Sequence, residues 1–452
     1  MISYEWICGT TGAACRSKKR CRDRSTEHCT SGGRQLSLRL FLVVFLILAM
    51  MKRAAAATQA PCFPAYVHQE NVTALAASQN NFTRDIYMKL AQKSSGNLFF
   101  SPFSIMTALG MTYAGADGNT EKEMQSVMHL SQDNEAIHNA FQDIVTDLKT
   151  EVAHYELRTS NMAYVSDKMS VLSNFSNILK EKYLSSSKNV NFAKGEEVRQ
   201  EINTVVKKET NSRIEDLIPA GILNTLTRMV LVNAVYFKGL WEHQFKESET
   251  KDQEFWLSSS ESTKVPMMHI KDHFRMLHNK DLGATLLAMD YKGSRLSMVF
   301  VLPKKRDGLV EVEAKLAAAD LNEIDKKLMK EEVHVYMPKF KLEESLDLVD
   351  HLSEMGMKDL FDENSCDLSG ITGTKELYVS NVIHKAFLEV NEQGSEAAAA
   401  TGMIMMARCL HIPVEFIADH PFLFYIRDQQ SGLILFAGRF VLPESVVSKD
   451  EL

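Results

Sequence analysis

The sequence predicts an α+β fold built as one domain. Helical periodicity dominates the first half of the body, and segments rich in β-branched and aromatic residues dominate the second. Between residues 65 and 445 there is no internal repeat, low-complexity stretch or linker to divide them. Of the 452 residues, 45% are hydrophobic and 24% charged, which excludes a collagen-like or wholly disordered chain.

Phe82, Ile86, Leu90 and Ala91 recur at helical spacing, and Gly96 is expected to break that helix. Ile137, Phe141, Ile144, Val145 and Leu148 line one face of a second amphipathic helix. Strand signals follow in Met229–Trp241, Leu296–Leu302, Val333–Met337, Leu377–Val390 and Leu433–Val441.

Charge is unevenly spread along the chain. The net value is −7, from 51 basic and 58 acidic side chains. Residues 1–60 hold ten Lys or Arg against three acids, giving +7; the remaining 41 basic and 55 acidic side chains give −14. Such a body offers no general basis for nucleic-acid binding, and no basic stripe indicates heparin binding. Leu40–Met51 is an unbroken apolar run of twelve. That is short for a span of roughly 20 residues, and fits the core of a secretory signal with Arg34 and Arg39 before it and cleavage near Ala60. A buried core helix or a signal anchor is the alternative; the long basic stretch before the run and Lys52-Arg53 after it fit a cleaved signal poorly.

The chain ends Lys449-Asp450-Glu451-Leu452, the signal for return to the endoplasmic reticulum, with the KDEL receptor as implied partner. The bland reading of these four residues is an acidic tail. The expected organisation is a leader over 1–60, one domain over 61–448 and the retrieval signal over 449–452. Lumenal entry would make the sequons at Asn71, Asn81 and Asn174 credible glycosylation sites. Beyond the leader, Cys62, Cys366 and Cys409 remain, an odd number, so at least one thiol is free or pairs with another molecule.

No catalytic or nucleotide motif emerges: there is no G-x-S-x-G, P-loop, H-E-x-x-H or G-x-G-x-x-G. His269 and His273 stand at i, i+4, but Ile270 occupies the place of a zinc protease's Glu and Pro266 argues against a helix, so a surface pair is expected. Gly370–Lys375 has the wrong spacing for a phosphate loop and reads as a plain turn; Lys207-Lys208 reads as solvated surface. Neither cofactor nor metal is expected.

Residues 389–413 read EVNEQGSEAAAATGMIMMARCLHIP. Taken alone, Ser395 and the four alanines that follow Glu396 read as a short capped helix ended by Thr401-Gly402. The neighbours favour another reading. Asn97–Ile105, Thr210–Ile214, Val232–Trp241, His384–Glu392, Asp419–Phe424 and Phe436–Arg439 together resemble the serpins, the serine protease inhibitor family, over roughly residues 75–443. The retrieval signal and loop length look most like neuroserpin-type members.

The resemblance implies the serpin fold: a large central β-sheet with further sheets, about nine helices and an exposed reactive-centre loop at about 392–413. It implies a protein that is not an enzyme, a monomer whose partner is the protease it traps. In inhibitory members the loop, once cleaved, inserts into the main sheet, so the residues that become buried must be small and uncharged. Ser395, Ala397, Ala399 and Thr401 meet that demand on one parity, with Ala398, Ala400 and Glu396 on the other; Gly394 supplies backbone freedom after Glu392.

By family register the specificity residue lies sixteen positions after Glu392, at Arg408, which is also the only Lys or Arg between Glu392 and Pro413. Cleavage is expected at Arg408–Cys409 by a trypsin-like protease; Ala407 or Met406 are fallback sites for elastase-like or chymotrypsin-like targets. Met405 replaces the second Arg that furin-like convertases want. Cys409 could instead give redox control of the loop, though an incidental free thiol is the plainer reading. Ser101, Ser104, Asn233 and His384 match the family's shutter, a polar cluster beneath the sheet. The alternative function is a non-inhibitory lumenal chaperone or binding protein.

Overall fold

A computed structural model describes residues 66–149, 154–393 and 414–443. The chain runs through α1 (Gln69–Lys93), β1 (Leu98–Phe100), α2 (Pro102–Tyr113), α3 (Gly118–Val127), α4 (Asn134–Leu148) and β2 (Tyr155–Ser166). Then come α5 (Ser173–Tyr183), β3 (Ser186–Val190), α6 (Gly195–Glu209), β4 (Met229–Gly239), β5 (Lys251–Trp256), β6 (Ser262–Asn279), β7 (Ala284–Asp290) and β8 (Leu296–Pro303). It continues with α7 (Leu309–Leu316), α8 (Leu321–Asp325), β9 (Met329–Pro338), β10 (Phe340–Asp347), α9 (Val349–Met355), α10 (Ser369–Thr372), β11 (Asn381–Val390), β12 (Val414–Ile417), β13 (Phe422–Asp428) and β14 (Ile434–Phe440).

Five strands form one sheet in the order β10-β11-β4-β2-β3. Nine form the other, β1-β14-β13-β8-β7-β6-β9-β12, with β5 also on β6. The 18-residue β6 is shared by two groups: its first part pairs with β5 and its middle with β9, while its last residues pair with β7.

The central strands β4 and β11 of the five-stranded sheet are covered on both faces, and the alternation of side chains explains their composition. In β4, Met229, Leu231, Val235 and Phe237 join the main core, whereas Val230, Val232, Ala234 and Tyr236 join a second cluster with Val198, Ile202 and Val206 of α6. β11 divides likewise: Val382, Ala386 and Leu388 face the main core, and Ile383 and Phe387 the second cluster. A strand buried on both sides has no room for solvated polar residues, which is why β4 reads as a nearly continuous apolar run.

Several sequence expectations change. The first helix ends at Lys93 with Ser94 as its cap, before Gly96. Gly370–Lys375 is not a plain turn: Ser369–Thr372 is one helical turn, closed by Gly373 at φ 80°. The third strand signal extends to Met329–Pro338, and the one before the loop begins at Asn381 rather than Leu377. The twelve-residue β2 and the long β6 went unread, because their charged and polar residues on the half-exposed face dilute the apolar alternation.

Candidate functional site

Two places in the five-stranded sheet concentrate polar chemistry. The first is a row across three strands. Asn161, Asn233 and His384 are register neighbours on β2, β4 and β11. Each shares its strand face with apolar core residues: Ala163 and Val165, Leu231 and Val235, Val382 and Ala386. The N-terminus of α2 meets this row. Ser101 caps the helix, its hydroxyl accepting from the Ser104 backbone N–H at 3.2 Å and donating to the Leu435 carbonyl at 2.6 Å. Pro102 follows at the first helical position, where its missing N–H costs nothing.

The hydrogen bonds fix the tautomer of His384. The Ser101 backbone N–H donates to Nε2 at 3.1 Å, so that nitrogen is the acceptor and the proton sits on Nδ1, which donates to Asn233 Oδ1. Asn233 Nδ2 then donates to the Ser104 carbonyl at 2.9 Å and to Asn161 Oδ1. The Ser104 hydroxyl lies in the same net, 2.5 Å from Asn233 Nδ2 and 3.3 Å from Asn161 Oδ1. His384 has no exposed surface, and burial pushes its pKa down to about 3. Ser101, Ser104, Asn233 and His384 are therefore brought together. Asn161 was missed, although an Asn at the parity of Ala163 and Val165 in the run TSNMAYV was a legible signal.

The second place is the end of β11. Pairing between β11 and β4 stops at Leu388↔Phe237. Beyond it β11 stays on β10 through Val390↔Phe340, and β4 stays on β2 through Gly239↔Tyr155. The two central strands thus part at the point where the chain leaves β11 towards Gly394. The parted end is fastened by side-chain and backbone donors. Trp241 Nε1 donates to the Asn391 carbonyl at 3.0 Å, Phe245 N–H to the Glu392 carbonyl at 2.9 Å, and Gln244 Nε2 to the Gln393 carbonyl at 3.1 Å.

The Glu392 carboxylate, buried at 5% exposure, accepts from Thr250 Oγ1 at 2.9 Å and from Lys339 Nζ at 3.0 Å. Burial alone would raise its pKa, but hydrogen bonds from its own backbone N–H, Lys339 and Thr250 outweigh that and hold it below the ordinary carboxylate range. Thr250 and Lys339 were not foreseen as partners of Glu392, nor Trp241 as a partner of Asn391, since more than 50 residues separate each pair.

Gly394, Ser395, Glu396, Ala397, Ala398, Ala399, Ala400, Thr401, Arg408 and Cys409 lie outside the described residues, as do Lys449, Asp450, Glu451 and Leu452. Asn71 and Asn81 sit half-buried within α1, and Asn174 is exposed in the first turn of α5. Cys366 is a buried free thiol. Among the described residues no group of three or more His, Cys, Asp or Glu is gathered into a metal cage.

Neither polar cluster contains a nucleophile set against a base, as an enzyme of acyl transfer would need. A neutral histidine bonded to an amide across two parallel strands can instead hold a sheet closed. The family model described as Serpin (serine protease inhibitor) matches residues 77–443. Ipis-1 of Ixodes persulcatus is 41% identical over 365 residues, 79% of this chain and 96% of that protein. The leukocyte elastase inhibitor of Xenopus tropicalis is 39% identical over 376 residues, covering 82% and 99%. Among solved structures, Serpin48 of the insect Tenebrio molitor superposes with a TM-score of 0.74 at 35% identity, covering 81% of this chain and 98% of that one. The chain belongs to the serpin family, which is named for serine protease inhibition and not for an enzyme activity.

Proposed function

We propose that the chain is an inhibitory serpin, a suicide substrate for trypsin-like serine proteases cleaved at Arg408–Cys409. The observation that carries this reading is the parallel pairing of β11 with β4, open at the end from which the loop departs. A segment that leaves the C-terminal end of β11 and folds back runs antiparallel to both strands. It would replace one parallel pairing with two antiparallel ones, which are somewhat more stable per residue. Ser395, Ala397, Ala399 and Thr401 can be buried there without an unpaired charge or a bulky side chain.

The protease serine attacks the Arg408 carbonyl carbon. The amide bond to Cys409 breaks, its nitrogen takes a proton from the protease histidine, and Arg408 is held as an ester. Insertion of the 14 residues Ser395–Arg408 would span roughly 45 Å at about 3.3 Å per residue, carrying the protease away before water can release it. The shutter role fits the His384–Asn233 bond, which must come apart for a strand to enter between β11 and β4, while the Asn233–Asn161 bond between β4 and β2 can stay. Arg408 suits a specificity pocket carrying a carboxylate.

The name of the Xenopus relative, an elastase inhibitor, supports the inhibitory class. The Arg408 register argues for a different target from elastase. Lys449–Leu452 together with Leu40–Met51 support passage into the secretory pathway and retrieval by the KDEL receptor, as in neuroserpin-type members. The decisive experiment mixes purified protein with trypsin. A complex that survives SDS, with the cut mapped to Arg408–Cys409, is expected. Cleavage without a complex and without a gain in heat stability would overturn the inhibitory reading in favour of a binding or chaperone role.

A further inference from the structure

Outside the loop and the five-stranded sheet, one pair of side chains has no role in the inhibitory cycle described above. His269 on β6 and His334 on β9 occupy diagonal positions of an antiparallel ladder, where His269 pairs with Tyr336 and Lys271 with His334. The His269 ring stacks on the Tyr336 ring at 4.5 Å and meets the His334 ring edge to edge, with nearly parallel planes and centroids 5.5 Å apart. Its Nε2 lies 3.3 Å from His334 Nδ1. With no metal present, that contact is a single N–H···N hydrogen bond.

The same spacing suits a different occupant. Two nitrogen ligands at about 2.0–2.1 Å from a tetrahedral ion, subtending about 109°, stand about 3.4 Å apart. The other nitrogen of His269, Nδ1, is 3.8 Å from Glu249 Oε2. At that distance the carboxylate makes no hydrogen bond, but its charge favours the proton on Nδ1 and so leaves the Nε2 lone pair free for a metal. On the next strand, Glu415 of β12 is the register partner of His334 and is exposed. Lys271, which faces His334 from β6, is already paired with Glu332 at 2.7 Å.

We propose that His269 and His334 form a two-histidine clip for a borderline divalent transition metal such as Zn²⁺. Glu249 biases the tautomer of His269, and water completes the coordination. Binding needs no net change of proton count in the neutral pair: the proton now shared between Nε2 and Nδ1 moves to an outer ring nitrogen, and the metal takes both inner lone pairs. The ion would join β6 to β9, the strand on which β12 docks directly after the reactive loop.

The test is titration of the metal-free full-length protein with Zn²⁺ at pH 7.5, read by calorimetry and by thermal melting. One equivalent binding in the micromolar range is expected, with a melting temperature that rises with Zn²⁺. His269→Asn and His334→Asn should each weaken binding at least tenfold while leaving the metal-free melting temperature near that of the parent. Glu249→Gln should weaken it severalfold. His243→Asn, which removes a separate pair formed with Asp272 at 2.9 Å, should leave binding unchanged. Absence of binding at 1 mM Zn²⁺, or equal binding by the parent and both clip variants, would overturn the site. Loss confined to His243→Asn would overturn it as well.

Discussion

His384 and Asn233 stand side by side on two parallel strands, and the imidazole Nδ1–H donates to the Asn233 side-chain oxygen. This bond ties β11 to β4 by side chains as well as by backbone. With the Ser101 N–H directed at Nε2, protonation of His384 would set two donors against each other.

That geometry gives stability a pH dependence. Burial depresses the folded-state pKa of His384 to about 3, below an unfolded value of about 6.5. The unfolded chain therefore binds the extra proton first, and the His384 contribution is complete above about pH 6.5 and lost as pH falls from there towards 3. Melting temperatures measured from pH 7.5 to 4.5 should fall, and the slope should be shallower in His384→Gln. An equal slope in both proteins would contradict the assignment.

Glu392→Gln should lower stability by about 1–2 kcal/mol in urea unfolding, since it leaves the Lys339 ammonium facing an amide and weakens a buried charged acceptor. Lys339 is itself 44% exposed, so Lys339→Ala should cost less, about 0.5–1 kcal/mol. A larger loss for Lys339→Ala than for Glu392→Gln would reverse the expected order.

Ala399→Arg should turn an inhibitor into a substrate. A charge would enter the sheet interior, insertion would slow, and the acyl bond would be hydrolysed first. The number of inhibitor molecules consumed per trypsin inactivated should rise at least tenfold; no rise would sink the insertion mechanism. Arg408→Ala should abolish trypsin inhibition and leave the fold intact by circular dichroism.

Cys366 should resist thiol reagents in the native protein. Burial, then Asp367 and Asp359, push its thiol up to about 12, so almost no thiolate exists at pH 8. Mass spectrometry after iodoacetamide should find Cys366 labelled only when denaturant is added.

Deletion of Lys449–Leu452 should send the protein from the endoplasmic reticulum into the medium, read by immunoblot of cells and supernatant. Unchanged retention would remove the retrieval reading and leave the inhibitory one untouched.

Much was legible in the residues alone. Motifs such as Asn97–Ile105 and His384–Glu392 pointed to the family, and the runs at Met229–Trp241 and Leu296–Leu302 pointed to buried strands, because a strand covered on both faces must be apolar throughout. The resemblance, joined to the small uncharged residues there and to the register from Glu392, made Ser395–Thr401 a candidate for burial and Arg408 the candidate specificity residue.

Tertiary structure decided which side chains meet. Asn161 entered the polar row because the β2–β4 register sets it opposite Asn233, and Lys339 and Thr250 reached Glu392 across 53 and 142 residues of chain. The His269–His334 contact likewise spans 65 residues, where the sequence had suggested only the nearby His273 as a companion. Local sequence specifies strand, helix and cap through propensity and periodicity. Register between distant strands is set by the whole core, and one residue of slip would send each of these side chains to the opposite face.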